Sequence, residues 1–334
     1  MNQTYIVLER IHVQDANCIA GLTFGFPAIT QFLGFSHALQ LKMQDTYPFK
    51  VNGCAVFCHS HNSHTYQAKG FGDYTFIQRK SSPTFSKHAE ESPPIIEEGK
   101  MNLCVSLVLS CESLNISRRN KAEAIKKQIL HQVHRLRLAG GSITKIEDIS
   151  ILNQAESIDS QNMMLKLIQR KLMPSFVLCD RISILIHHYD TLKKEDISID
   201  LLDAWLDFSR LTYEVQSSQS RDSSIADTDW LLKPRPVKGW LVPIMTGFTA
   251  ISPLQDKNTV MGARSPNYPF SFVESVYSIG EWLSAHRIDN LEDLMWQYNY
   301  QPNWYICQQR GNSNEDNAVD KDDENDLYDF DYTL

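Results

Sequence analysis

The chain has 334 residues, 42% of them hydrophobic and 22% charged, which is enough to bury a sizeable core in one large or two small domains. No run of about 18 apolar residues occurs, so no membrane span is predicted, and Met1 to Ile6 has neither the basic start nor the apolar core of a secretory signal, which predicts a cytoplasmic protein. The net charge of −8 is concentrated in 314–334, with nine acids and one lysine; the rest of the chain carries 31 acids and 31 Lys and Arg, so the acidic total excludes no nucleic-acid partner. Seven irregularly spaced cysteines read as reduced thiols and not as a disulfide framework.

In chain order, Tyr5 to Val13 predicts a strand with Ile6, Leu8 and Arg10 on one face. The turn Gly21 to Phe26 leads to Pro27 and a helix reaching about Met43. Val51 to Cys58 and Met101 to Leu109 predict two more strands, separated by a polar and aromatic insertion at about 59–95. Ser117 to Leu138 has the clearest helical period, with Ser117 as cap, an apolar stripe from Ala122 to Leu136, and Gly140–Gly141 as a left-handed stop. Strand, helix, strand, strand, helix is the first part of an α+β, ferredoxin-like βαββαβ unit, expected over 1–150.

Helices are then expected at Gln161 to Met173, Arg181 to Leu192 and Leu201 to Leu211, with a short strand at Ser175 to Leu178; they make 151–230 a helical insertion ending in a disordered linker at 216–229. Trp240 to Ile251, broken by Pro243 and Gly247, reads as a bent strand or hairpin. Phe272 to Leu283 and Leu291 to Tyr298 read as helices, so that 231–313 completes the core and 314–334 forms a disordered acidic tail.

Several residue sets could carry chemistry. On an uninterrupted helix Arg119, Lys126 and Arg137 fall within about 20° of one another, either as a track for a phosphate backbone or as a solvated face. The run Arg137 to Ser142 contains Gly140 and Gly141, which let backbone N–H groups approach a phosphate or simply end the helix. Phe24, Gly25 and Phe26 precede a helix N-terminus, where the rings either stack on unpaired bases or join the core. Arg235, Lys238 and Trp240 lie on a proline-stiffened segment that suits RNA, a partner protein, or a plain surface loop. Cys54, Cys58, His59, His61 and His64 have metal-binding composition, but no second pair at zinc spacing follows, and strand alternation separates Cys58 from His59; no metal and no cofactor are expected. His37 is a structural or RNA-contacting histidine or, alternatively, the general base of a ribonuclease, with no Tyr or Lys partner assignable from sequence.

Beyond single sets, an ordered series resembles one known family. Gly25-Phe26-Pro27 leading to Gly34–Gln40, Glu97-Glu98-Gly99, Leu136–Ile143, Gly239–Ile244, Ser252-Pro253-Leu254, and Phe272-Val273-Glu274 to Gly280–Arg287 occur in the order of the Cas-five-type subunit of the type I-F CRISPR (Csy) surveillance complex. The resemblance spans roughly 5–300. It implies a ferredoxin-like RNA-recognition (RAMP) core with an inserted thumb-like region. It also implies a non-catalytic subunit that grips the 5′ handle of the crRNA together with the large subunit, beside the first backbone subunit. Target double-stranded DNA is then met through the assembled complex in antiviral defence. Guide processing belongs to another subunit; a RAMP-type metal-independent endonuclease acting on precursor crRNA is the alternative. The acidic segment after Gly311 is not part of the family pattern.

Overall fold

The computed structural model describes residues 3–80, 95–97, 99–112, 114, 119–153, 158–217, 228–263 and 265–309. The first strand, β1 (Thr4–Asn17), is followed by helix α1 (Ile29–Met43), strands β2 (Lys50–Ser63) and β3 (Lys100–Glu112), and helix α2 (Arg119–Val133). A return strand comes in two pieces, β4 (Gly141–Lys145) and β5 (Asp148–Asn153), both antiparallel to β1. β1 pairs with β3 on its other edge and β3 with β2, so the spatial order is fourth, first, third, second, with every pairing antiparallel. The molecule is therefore α+β, with one large antiparallel sheet and few helices.

The second half extends that sheet. After α3 (Ile158–Leu172) come β6 (Phe176–Asp180), α4 (Ile182–Glu195) and α5 (Leu201–Leu206), then β7 (Leu241–Ala250), β8 (Val273–Ser284), β9 (Trp296–Gln301) and β10 (Trp304–Gln309). β6 adds to β2, β8 to β6, β7 to β8, β10 to β7 and β9 to β10. β9 then meets β2 again at Trp296 opposite Cys54, closing six strands into a ring. Polar side chains hold that seam. The Trp296 indole donates to the Leu178 carbonyl at 2.9 Å, and Gln309 donates to Leu178 and Leu294 while accepting from the Asp180 amide. All are buried, where an unmade hydrogen bond costs more than a made one contributes. β7 crosses β10 so closely that a side chain at Gly247 would collide with the Tyr305 carbonyl, and its register shifts at that glycine, as the interruption in the sequence predicts.

Two cores sandwich the sheet. On one face α1 and α2 place Phe32, Leu39, Ile125, Ile129 and Val133 against Ile6, Leu8, Val56 and Leu107. On the other, α3 and the segment Ala285–Met295 cover Tyr5, Val7, Ala55, Phe57 and Val108 with Ile168, Leu172, Leu291 and Leu294. Lys171 fixes α3 by donating to Glu9 at 2.8 Å, a carboxylate that also accepts from Ser150 at 2.7 Å. A third cluster seats α4 and α5 on β7 and β8 through Leu185, Trp205 and Phe208.

Four expectations need correction. Neither 272–283 nor 291–298 is an α-helix: Val273–Ser284 is strand β8, whose partners on β6 and β7 lie far away in sequence, and 291–298 is a 3-10 turn at Glu292–Leu294 followed by the start of β9, which pairs with the adjacent β10 and, at Trp296, with β2; a second 3-10 turn stands at Ala285–Arg287. α2 stops at Val133, short of the expected Leu138, and Gly140–Gly141 belong to a hairpin and not to a helix cap. Leu201–Leu206 is one short helix set by an Asp200/Asp203 capping box, ending well before Leu211. Arg10 does not share a face with Ile6 and Leu8, because β1 bulges between Leu8 and Ile11, with Arg10 at φ +49°. The linker read at 216–229 meets strand at both ends, since Tyr213–Ser217 pairs with Thr228–Leu232; 218–227, Ser117 and the acidic stretch 314–334 lie outside the described residues.

Candidate nucleic-acid interface

Along β1, β2 and β3 the face beneath α3 is apolar only as far as the helix end. Beyond Met173–Pro174 the same strands present Arg10, His12, His59 and Ser106. The bulge aims Arg10: its amide donates to Ser106 Oγ at 2.8 Å, and its guanidinium donates to the Met173 carbonyl at 3.1 Å and lies 3.6 Å from Glu147. His59 Nδ1 sits 2.8 Å from the Pro174 carbonyl, and Nε2 2.7 Å from Ser106 Oγ. A carbonyl can only accept, so the ring proton is assigned to Nδ1, and Nε2 accepts from the serine hydroxyl. Burial pushes the His59 pKa down, reinforced by the Arg10 charge and only partly offset by the Pro174 carbonyl, so the ring is neutral at pH 7.

Lys145 and His12 complete the patch, both 3.5 Å from the Glu147 carboxylate. Desolvation works against Glu147 ionising, but the hydrogen bonds from His12 and Lys145 and the charges of Lys145 and Arg10 outweigh it and hold the carboxyl below its usual range. One carboxylate thus gathers two permanent cations and an imidazole at an exposed sheet surface. This arrangement suits a phosphate that competes with Glu147 for the same donors.

The edge of that face is the hairpin Arg137–Leu138/Gly141–Ser142. Its central residues Ala139 and Gly140 have φ of +50° and +76°, the sign pattern of a type I′ turn. Leu138 and Ala139 are buried, and the Ala139 carbonyl accepts from the Asn17 amide at 2.8 Å. Gly141 has no room for a side chain: a Cβ would lie 2.6 Å from the Gln14 carbonyl. Arg137, Gly140 and Ser142 stay exposed, with Arg137 directly across from Ser142 and Ser142 across from Gln14. Gly141 therefore serves the fold, while Arg137 and Ser142 face solvent beside the cationic patch.

A family model described as CRISPR-associated protein (Cas_Csy2) matches residues 6–307. Over 309 residues, covering 90% of this chain and 93% of the relative, the chain is 32% identical to CRISPR-associated protein Csy2 of Pseudomonas aeruginosa (strain UCBPP-PA14). The chain belongs to the CRISPR-associated Csy2 family. It is thus a Csy-complex protein of the type I-F CRISPR system, as the ordered motifs implied. The match ends at Cys307, so the acidic stretch at 314–334 lies beyond the family pattern.

In this Csy2 family member the remaining sequence-derived residues separate by exposure. Phe24 is 60% exposed and stacks on Phe76, with centroids 5.8 Å apart, whereas Phe26 packs between Phe32 and Trp282 as a core ring. Gly25 (φ +112°) turns the chain between them. Trp240 is half-exposed, edge-on to Phe176 and 6.4 Å from Trp282, so Phe26 and Trp240 join one aromatic run through Trp282. Arg235 and Lys238 are exposed on the loop leading to it. Lys126 pairs with Glu123 at 3.3 Å; with Arg137 off the helix, the line expected of Arg119, Lys126 and Arg137 does not form, and the Arg119 side chain lies outside the described residues. His37 is exposed on α1 in a separate cleft that also holds Lys50 and Tyr298.

Cys54 and Cys58 point into the core, their thiols each pushed up to about 12 by burial, while His59 faces the other way, as strand alternation predicts. Among the described residues no three His, Cys, Asp or Glu side chains gather as metal ligands, and no helix is long and apolar enough to cross a membrane. Sequence reasoning missed Arg10, His12, His59 and Lys145 as a group. The available signal was polar residues inside otherwise apolar strands, as in Leu8-Glu9-Arg10-Ile11-His12.

Proposed function

We propose that the chain is a non-catalytic, RNA-binding subunit of the type I-F surveillance complex that grips the 5′ handle of the crRNA together with the large subunit. In this reading its β-α-β-β-α-β half is a ferredoxin-like RAMP core, with the strand order noted above in support. Residues 59–95 are its thumb-like insertion, 151–230 a helical insertion and 231–313 the completing strands. The observation that carries the reading is the change from apolar to polar chemistry halfway along β1, β2 and β3, where Arg10 and the adjacent Lys145 of β4 bring positive charge to a sheet face that no described helix covers. Unpaired RNA is bound by phosphate contacts that fix register and by rings and edges that read bases. Arg10, Lys145 and Arg137 supply the first; Phe24 and Trp240 supply exposed rings. Ser142 and Gly140 offer polar groups at the hairpin, with Arg235 and Lys238 as further cations. The backbone subunit and target double-stranded DNA are met through the assembly, in the cytoplasm.

The test is co-expression of the full chain with the other Csy subunits and their guide. The expected outcome is co-purification with RNA and a large partner, with Arg137→Ala weakening handle binding by about 1–3 kcal/mol and lowering the salt slope by about one. A stable monomer indifferent to both RNA and partner would contradict the reading.

A second reading, a metal-independent endonuclease for precursor crRNA centred on His37, is favoured by one observation: His37 shares its cleft with Lys50 and Tyr298, a candidate base, cation and acid. Cleavage of labelled repeat RNA, lost in His37→Ala, would establish it; intact RNA would eliminate it.

A further inference from the structure

We infer that the cleft between α1, the start of β2 and β9 is a pocket for one unpaired base of single-stranded RNA. The inference rests on the RNA-binding reading above but concerns a surface apart from the cationic sheet face.

The cleft arises from topology. β2 and β9 touch at a single pair, Cys54 with Trp296. Before Cys54, the Lys50–Gly53 stretch pairs only with β3, and beyond Trp296 strand β9 pairs only with β10. The two strands therefore diverge as a wedge that opens to solvent over α1.

Its lining is unusual in composition. His37, Gln40, Lys50, Asn52, Gln297 and Tyr298 supply three carboxamides, one cation, one imidazole and one ring, and among the described residues no carboxylate lines the cleft. Gln40 is fixed, because its Oε1 accepts from the Val51 amide at 2.8 Å, leaving its NH₂ as a donor. Tyr298 is 56% exposed and its ring is braced by Tyr305, with centroids 5.6 Å apart at 14°. The Asn52 carboxamide carries a donor beside an acceptor, the complement of the edge of an unpaired base, and the Gln40 NH₂ adds a second donor. A braced, exposed tyrosine is a stacking platform, and Lys50 at the mouth suits the attached phosphate. An extended peptide could also reach the two open strand edges. It would need apolar pockets for alternate side chains, and only Leu33 and Val51 line the wedge with branched apolar groups.

The experiment uses the full chain and a short single-stranded RNA carrying the repeat-derived 5′ end of this host's guide, with one abasic site moved along it. The wild-type chain is expected to lose affinity sharply at one position. Tyr298→Ala should weaken binding of the intact RNA by about tenfold and abolish the penalty at that position alone, while Tyr298→Phe, which keeps the stack, restores it. Asn52→Ala, on the opposite wall, should show the same loss of position dependence. If RNA binds and the abasic profile is unchanged in both Tyr298→Ala and Asn52→Ala, the pocket is not a base site, although the RNA-binding reading stands. If the same variants lose the large partner while keeping the RNA profile, the wedge docks protein and the inference is overturned. If the wild-type chain, alone and with its partner, binds no RNA, the broader reading fails first and this inference falls with it.

Discussion

The covered and open halves of one sheet face make an internal contrast. Both are built from β1, β2 and β3, with the same antiparallel pairing. Under α3 the residues are Tyr5, Val7, Ala55, Phe57 and Val108; past Met173–Pro174 they are Arg10, His12, His59 and Ser106. The first half obeys hydrophobic burial, at about 25 cal/mol per Å² of apolar area removed from water. In the second half every prominent polar group is tied to a neighbour, and all but the buried Ser106 stay near solvent. A strand can thus change its role midway, and the change is marked by the β1 bulge and by the end of α3. The seam between the halves is held by side chains of the open half, since Arg10 and His59 bond the two carbonyls that end the α3 segment.

The largest effect expected from breaking this contrast lies in the covered half. Leu172 is fully buried, and Leu172→Ala should cost about 3 kcal/mol in denaturant unfolding. Its RNA affinity under conditions where the variant stays folded should be unchanged. Next comes Arg10→Gly in the open half. Glycine accepts φ +49° more readily than arginine, which offsets the lost guanidinium contacts, so stability should move by less than about 1 kcal/mol. RNA binding should fall by about 1–3 kcal/mol in filter assays. Equal losses of stability and affinity in both variants would erase the distinction.

A smaller effect is set by pH. The folded pKa of His59 lies below its unfolded value of about 6.5, so between the two the unfolded state binds more protons. Stability from this group is present above that value and is lost as pH falls through the folded pKa. Melts of wild type and His59→Gln should diverge at pH 7.5 and converge towards pH 5.5; parallel curves would count against the neutral, hydrogen-bonded ring. The smallest effect concerns the thiols. All seven cysteines are free and buried, with Cys179 pushed up to about 11 and Cys307 to about 12 by burial. Native protein should resist iodoacetamide at neutral pH until it unfolds.

Much of the fold was legible where a single element carries its own period. β1 to β3, α1, α3 and α4 follow from alternation or a 3.6-residue stripe, and the bend in β7 follows from Pro243 and Gly247. The failure at 273–284 has a physical cause. Val273, Val276, Tyr277, Gly280 and Leu283 also fit helical spacing, and the partners that make the segment a strand begin near Phe176 and Leu241. For 296–301 the signal was present, since Trp296, Tyr298 and Tyr300 alternate with polar residues. The candidate site was less legible. Arg137 and Ser142 were found through their glycine turn, but Arg10 was placed on the wrong face because a one-residue irregularity reverses every later side chain. The wedge at His37 could not be read at all, because it depends on where β9 leaves β2.

The most direct test of the central claim is photo-crosslinking of 4-thiouridine-substituted guide RNA in the assembled complex, followed by mapping of the attached peptides. The account predicts crosslinks within 10–15, 59–64 and 137–147, on the open half of the sheet face and its hairpin. Crosslinks confined to the outer side of α2, with those three segments unlabelled, would contradict it.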